Sequence, residues 1–164
     1  MRAPGSRKLL LKKRNHNATI GKDLRKGGNT MLKQVSIYAE NRKGTMCNIT
    51  GILLKCGINI LGSVTNDSAE YGIIRMVVSD AAKTCEALKA EGYFCRITDV
   101  IGVEIEDEAG NLHKLLKTLE ESNIDVDYLY LSFNRDSGKP IMVFHCVDGP
   151  EVAECLIAKG YSVL

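Results

Sequence analysis

Displaced by 66 residues, the sequence lies over itself. Val35, Ile37 and Ala39 fall on Ile101, Val103 and Ile105, Glu40 on Glu106, Asn41 on Asp107 and Gly44 on Gly110. Met46 falls on Leu112, Ile49 on Leu115, Leu53 on Leu119, and Ile58 and Ile60 on Ile124 and Val126. Farther on the displacement becomes 68: Asp80 meets Asp148, Leu88 meets Leu156, and Gly92-Tyr93 meets Gly160-Tyr161. The two extra residues sit near Asn134–Lys139, a run of turn formers in which an insertion disturbs no regular element. Internal repetition restricts a chain to architectures built from like units.

Both copies read alike. Residues 33–39 alternate apolar and polar, as a half-buried strand does. Residues 45–56 set Met46, Ile49, Ile52, Leu53 and Cys56 on one helical face, and Gly57 ends that helix. Residues 58–66 and 72–79 are β-rich runs about a turn at Asn66–Ala69. A second helix over 81–91 has Asp80 at its N-cap position, and residues 93–99 make a last strand. The second copy predicts a strand over 101–106, a helix over 111–122, strands over 124–134 and 140–147, a helix over 150–159 and a final strand from Tyr161.

The expected fold class is α+β: two tandem ferredoxin-like βαββαβ units, each an antiparallel sheet with helices on one face. Domain 1 covers 31–99 and domain 2 covers 100–164, with almost no linker at Val100-Ile101. A unit of about 65 residues buries only about 60% of its unfolded surface. Free sheet faces and edges also need cover. The two copies are therefore expected to pack on each other, edge to edge or face to face.

Charge is unevenly spread. Residues 1–30 carry nine Lys/Arg and one acid, a net +8, whereas residues 31–164 carry thirteen bases and nineteen acids, a net −6. The basic segment lacks the apolar content to offset its ordering entropy. It reads as a disordered tail or as sequence upstream of a true start near Met31. The other readings are a nucleic-acid or membrane-surface arm and a targeting peptide. The acidic body argues against a nucleic-acid partner, and no run of about 18 apolar residues is present to cross a membrane. Six cysteines show neither Cys-x-x-Cys nor zinc-ligand spacing. They read as reduced, buried apolar residues of a cytoplasmic protein.

The turn Asn41-Arg42-Lys43-Gly44 leads into a helix whose first amides lack intrahelical partners and carry the positive end of the helix dipole. Gly44 permits close backbone approach. Such a turn suits a carboxylate. Asn41 at the strand end can bond an amino group, and Asp107 in the second copy can pair with an ammonium. A carboxylate beside an ammonium is a free amino acid. The plainer alternative is a strand-to-helix turn in which Gly44 and Gly110 serve conformation alone.

The pattern polar-x-x-Gly-x-apolar before the first helix, followed by a helix ending in Gly57-Ile-Asn-Ile60, resembles the ACT-domain family of amino-acid-binding regulatory modules. Asp107-Glu-Ala-Gly-Asn-Leu112 and Asn123-Ile-Asp-Val126 repeat it, so the resemblance covers roughly 33–164. Lys43 and Ala109 stand where that family usually has proline. The resemblance implies paired domains with effector sites at their interface, where the first loop of one domain meets the second strand of its partner. Carried over by position, it implies ligand contacts from Asn41, Lys43, Gly44, Thr45 and Met46, and from Asp107, Gly110, Asn111 and Leu112. It adds Asn59, Leu61 and Ser63, or Asp125 and Tyr128, from the second strands. No cofactor or metal is expected. The implied partners are a free amino acid and either a regulated enzyme or further copies of the chain, as in a homodimer.

Other constellations carry less. His113, on the first turn of a helix, reads as a solvated residue or a polar ligand contact. His145 has no acid or nucleophile at a recognisable spacing and reads as a satisfied sheet residue. Tyr128 and Tyr130 share a strand face, where they cover an interface or line a pocket. Glu104, Glu106, Asp107 and Glu108 read as a polar strand end rather than a cation site. Three other functions compete with the non-catalytic amino-acid sensor. An RNA-binding module of this topology needs stacking aromatics on its central strands, and Ile73–Val78 and Ile141–Phe144 lack the Gly-Phe pattern. A metallochaperone would need Cys-x-x-Cys. A small enzyme on a ferredoxin-like fold would need a nucleophile–base pair, phosphate loop or metal cluster, none of which is recognisable.

Overall fold

A computed structural model of the chain describes residues 31–67 and 71–164. The readings of the basic segment 1–30 and part of the turn expected at 66–69 lie outside these residues. The elements are β1 (Leu32–Glu40), α1 (Thr45–Lys55), β2 (Ile60–Asp67), β3 (Tyr71–Val78), α2 (Ala81–Ala90), β4 (Phe94–Glu104), α3 (Asn111–Glu121), β5 (Tyr128–Phe133), β6 (Pro140–His145), α4 (Gly149–Ala158) and β7 (Ser162–Val163).

The local grammar of the sequence accounts for the helix ends. Asp80 caps α2, its carboxylate accepting the Lys83 amide at 2.9 Å. After α1, Gly57 takes φ +67°, and Ile58 N donates to Leu53 O at 3.0 Å. In the second half the same turn is made by Asn123 at φ +53°, the non-glycine residue that best tolerates that conformation. Ile124 N then donates to Leu119 O at 3.0 Å.

The antiparallel sheet and four helices agree with the ferredoxin-like class. Two separate sheets do not form. β4 runs unbroken through Val100-Ile101, pairing with β1 over residues 94–100 and with β6 over 101–104. At the opposite edge β2 meets β5 through Gly62 and Ser132. The strand order is β1-β3-β2-β5-β6-β4-β7 with β1 also on β4, so six strands close into a barrel and β7 hangs outside. The halves therefore join edge to edge twice, and the inner sheet faces become one interior.

Three cores follow. Val35, Ile37, Ile74 and Met76 pack under Ile49 and Leu53 of α1 and Leu88 of α2. Ile101, Val103, Met142 and Phe144 pack under Leu115 and Leu119 of α3 and Leu156 of α4, together with Met31. The third fills the barrel and draws from all six of its strands: Leu32, Leu61, Val77, Val100, Tyr130, Ile141 and Val143. Among them sits Gln34, fully buried. Its amide nitrogen donates to Tyr128 Oη at 2.8 Å and Ser36 Oγ at 3.1 Å, and its carbonyl accepts from Tyr130 Oη at 2.9 Å. Every bond of the buried amide to a tyrosine thus crosses between halves. Burial, reinforced by neighbouring Tyr128 and opposed by Arg75, holds the Tyr130 hydroxyl well above the ordinary tyrosine range. The tyrosine pair covers the interface, as one of the two sequence readings has it.

Cys85, Cys95 and Cys146 are buried, Cys56 and Cys155 are half-buried and Cys47 is exposed; all six are free thiols. The expectation of buried thiols thus holds for three and fails for Cys47. Burial, with Cys85 alongside, raises the Cys95 thiol to about 11.

The seam sets two tests. A Cβ on Gly62 would lie 2.8 Å from Ser132 Cβ, a backbone-fixed neighbour. Gly62→Val is expected to lower stability by about 1–3 kcal/mol through overpacking, read from the urea midpoint. Gln34→Leu leaves the Tyr130 hydroxyl buried without its acceptor and is expected to cost about 1–3 kcal/mol. Adding Tyr130→Phe should return much of that loss in the same assay, because both ends of one bond are then apolar.

Candidate functional site

The two glycine turns are built alike to the level of single bonds. Gly44 and Gly110 hold φ of +92° and +98°, a conformation that costs a side-chain-bearing residue about 1–2 kcal/mol. Arg42 N and Glu108 N donate to Glu40 O and Glu106 O, each at 2.9 Å. Thr45 Oγ1 reaches back to Glu40 O at 3.1 Å, and Asn111 Nδ2 reaches back to Glu106 O at 3.1 Å. These side chains staple each turn to the end of its strand.

Gly44 and Gly110 are the N-caps of α1 and α3, and no side chain caps either helix. Thr45 N is used by Arg42 O at 3.2 Å, and Asn48 N by Gly44 O at 2.9 Å. The Met46 and Cys47 amides lie between, in the first helical turn, where the helix itself supplies no acceptor. By contrast, α2 has its Asp80 cap, and α4 carries proline in its first turn, which removes a donor.

The first turn walls a cavity of about 340 Å3, lined by Ala39, Glu40, Asn41, Arg42, Gly44, Thr45, Met46, Cys47, Thr65, Gly72 and Ile74. Ligand pockets span roughly 300–1,000 Å3. One wall is polar, from Glu40 to Thr45. Glu40 and Arg42 form an ion pair there, Arg42 Nε to Glu40 Oε2 at 3.0 Å. Both charges are well exposed, so solvent screening makes the pair easy to part. Among the described side chains the other wall is Ala39, Met46, Cys47, Thr65, Gly72 and Ile74.

Asn41, Gly44, Thr45 and Met46 therefore come together at one cavity, and exposed Lys43 does not line it. Asn59 and Ser63 are exposed on the β2 side and do not line it either. Leu61 is turned into the barrel, its carbonyl accepting Ser132 Oγ at 2.8 Å. Ala39, Glu40, Arg42, Cys47, Thr65, Gly72 and Ile74 also line it and are not among the ligand contacts expected from sequence. Glu40 had a signal in its repeat partner Glu106. The strand residues had none, because their place beside the loop depends on the β2–β3 register, Thr65 opposite Ile74.

The second turn opens on different ground. Of its residues, Asn111 borders a cavity of about 260 Å3 shared with Glu104, Glu106, Lys114, Lys139 and Tyr161. Asp107, Gly110 and Leu112 do not border it, and Asp125 is exposed elsewhere. Tyr128 lies at the barrel, with the Arg75 guanidinium 4.1 Å over its ring and His145 stacked on it at 5.6 Å. Glu106 is paired with Lys139, and Glu104 accepts Asn134 Nδ2 at 2.6 Å. Among the described residues no group of three or more His, Cys, Asp or Glu could hold a metal. His113 is exposed. His145 does have an acidic neighbour, Asp127, Oδ2 lying 2.5 Å from its Nδ1. Tertiary pairing of β5 with β6 brings them together, so their eighteen-residue separation gave no signal.

No curated protein matches the chain. Among solved structures it is similar to a protein from Bacteroides thetaiotaomicron, at 30% identity and a TM-score of 0.76, over 82% of this chain and 92% of that one. It shares its fold with the regulatory subunit of aspartate kinase from Thermus thermophilus, at 13% identity and a TM-score of 0.59, over 78% and 92% of the two chains. The same holds for the regulatory subunit of aspartate kinase from Thermus flavus, at 15% identity and 0.57, over 77% and 88%. A family model described as an ACT domain pair matches residues 30–163. The chain belongs to the ACT domain pair family.

Proposed function

We propose that the protein is a non-catalytic sensor of a free amino acid, bound in the cavity walled by the Gly44 turn and the β2–β3 strands. The observation that carries this reading is the pairing of an uncapped helix start with a cavity of ligand size on the same turn. An amino acid carries its carboxylate and ammonium on one carbon. The carboxylate meets the Met46 and Cys47 amides, where the helix dipole favours an anion, and Arg42 stands on the same wall. The ammonium meets Glu40 and the Asn41 carboxamide. The Glu40–Arg42 pair is thereby exchanged for two pairs with the ligand, at little cost because it was already screened.

The division of labour at the second turn is regulatory. Membership in the ACT domain pair family and likeness in fold to aspartate kinase regulatory subunits support a role in acting on another protein. Leu112, Leu116, Leu129, Leu131 and Phe133 are exposed on the outside of the second half. This reading assigns that surface to the regulated enzyme or to another copy of the chain. The two-domain division near residue 100 belongs to the same proposal, each half presenting one glycine turn. RNA binding loses support because the sheet face an RNA-recognition motif offers to bases is here barrel interior.

Isothermal titration against the twenty amino acids tests the sensor. Saturable binding of one or a few is expected. Gly44→Val, which forces a β-branched residue to φ +92°, is expected to weaken it at least tenfold while the circular dichroism of the fold is retained. Absence of binding by all twenty would sink the proposal.

A further inference from the structure

We infer that the first half of β4 is the docking edge for a second copy of this chain, whose own β4 runs antiparallel to it. Closure of the sheet leaves this stretch of edge uncovered. Along one edge β4 has β1 over residues 94–100 and then β7 over 103–104. Along the other it has β6, over 101–104 alone. β6 ends at His145, so among the described residues no strand lies beside 94–99 on that side. Just past β7, Leu164 N donates to Gly102 O at 2.9 Å, so the Gly102 carbonyl faces the β1–β7 edge. Backbone groups of successive residues point to opposite edges of a strand. Those of Cys95, Ile97 and Asp99 therefore face the uncovered edge. There the Cys95 carbonyl accepts a thiol, Cys85 Sγ at 3.6 Å, in place of a strand amide.

Apolar side chains flank this edge on both faces. Phe94 is 68% exposed, with the Tyr38 ring 5.3 Å from its own; Ile97, on the opposite face, is 39% exposed. Val147, in the turn after β6, is 85% exposed. Natural edges are blunted by lysine, proline or a covering segment. Residues 94–99 hold no lysine or proline, and of their two charges Asp99 is already engaged by Lys33. A row of outward amides and carbonyls calls for a strand, and two points favour a second copy as its source. A two-fold contact is self-complementary, and the uncovered run centres on Arg96 and Ile97. An axis through Arg96 would set like charges directly opposite. An axis through Ile97 sets each Arg96 opposite Thr98 of the other copy and brings the two isoleucines together. The second point is the route of the chain. Met31, to which residues 1–30 are joined, precedes Leu32, which pairs with Val100 on the far edge of β4. The inference goes beyond the sensor reading and does not depend on it; with the second copy on β4, the exposed leucines of the second half are left to the regulated enzyme.

Sedimentation equilibrium of the full chain tests the contact. A reversible species of twice 18.0 kDa is expected. Ile97→Lys places a charge on the axis. Ile97→Pro removes an outward N–H and none of the bonds to β1. Each is expected to weaken dimerisation at least tenfold with the circular dichroism of the fold retained, whereas Leu129→Lys, on the second-half surface, is expected to leave it unchanged. Facing residues of an antiparallel hydrogen-bonded pair have Cα atoms about 5.5 Å apart, within disulfide reach. Ile97→Cys treated with oxidised glutathione is therefore expected to give covalent dimer in excess of that from the unsubstituted chain. Hydrogen exchange at the Ile97 amide is expected to be slow in the dimer and fast after dilution to monomer. A chain that stays monomeric, a dimer that survives both Ile97→Lys and Ile97→Pro, or one lost to Leu129→Lys would overturn the inference. So would slow exchange of the Ile97 amide in the monomer, because the chain would then cover its own edge. None of these outcomes bears on the sensor, which amino-acid calorimetry decides separately.

Discussion

The closure of the sheet is the constraint on which the rest of the molecule depends. A single half would expose one sheet face and two edges, and its small core would be marginal. Running β4 through both halves removes one pair of edges, and the β2–β5 contact removes the other. Closure forces close approach at one point. Gly62 opposes Ser132 so tightly that no side chain fits, and Ser132 Oγ seals the gap by donating to Leu61 O. Gly102 on β4 plays a similar part against Leu32, whose methyl would lie 2.6 Å from an added Cβ. The interior so created is small enough to be filled by one or two buried apolar residues from each strand.

A polar group inside such an interior is expensive unless each of its atoms is paired. Gln34 meets that condition with one bond to Ser36 of its own strand and two to tyrosines of the other half. The two tyrosine bonds cannot form in either half alone; they favour the one register of β5 that points Tyr128 and Tyr130 at Gln34. A one-residue slip of β5 would turn Tyr128 and Tyr130 outward and bring Leu129 and Leu131 inward, leaving the amide without its tyrosine partners. The buried amide specifies register where apolar packing alone would tolerate an alternative.

Much of this was legible because duplication doubled each weak signal. A single glycine before a helix says little, but Gly44 and Gly110, with Thr45 and Asn111 each bonding five residues back, form one conformation written twice. The helix faces, the Asp80 cap, the Gly57 turn and the insertion at Asn134–Lys139 were readable from local chemistry. There Asn134 accepts the Asp136 amide at 2.9 Å, as turn formers do. Closure was not readable. It depends on which strand edges meet, and neither the Gly62–Ser132 contact nor the continuity of β4 leaves a periodic mark. The same limit governs the site. Loop residues could be named from spacing, whereas Thr65, Gly72 and Ile74 enter only through strand register, and Leu61 and Tyr128 leave for the barrel for the same reason.

The geometry also decides how occupancy of the first cavity could reach the second half. A ligand shifts an equilibrium only by its difference in affinity for two arrangements, so it must touch something that the other half also holds. β2 is that element. Thr65 borders the cavity, and three residues back along the same strand Gly62 is the contact with β5. Arg135, from the loop between β5 and β6, reaches Ile60 O and Leu61 O at 3.3 Å each, farther along β2. The neighbouring strand β3 carries Ile74 on the cavity side and, on the barrel side, Arg75 over the Tyr128 ring. Side chains alternate across a strand, so a displacement of β2 or β3 on the ligand side is a displacement of the inter-half contacts on the other. No separate relay is required, because the cavity wall and the seam are two faces of the same pair of strands.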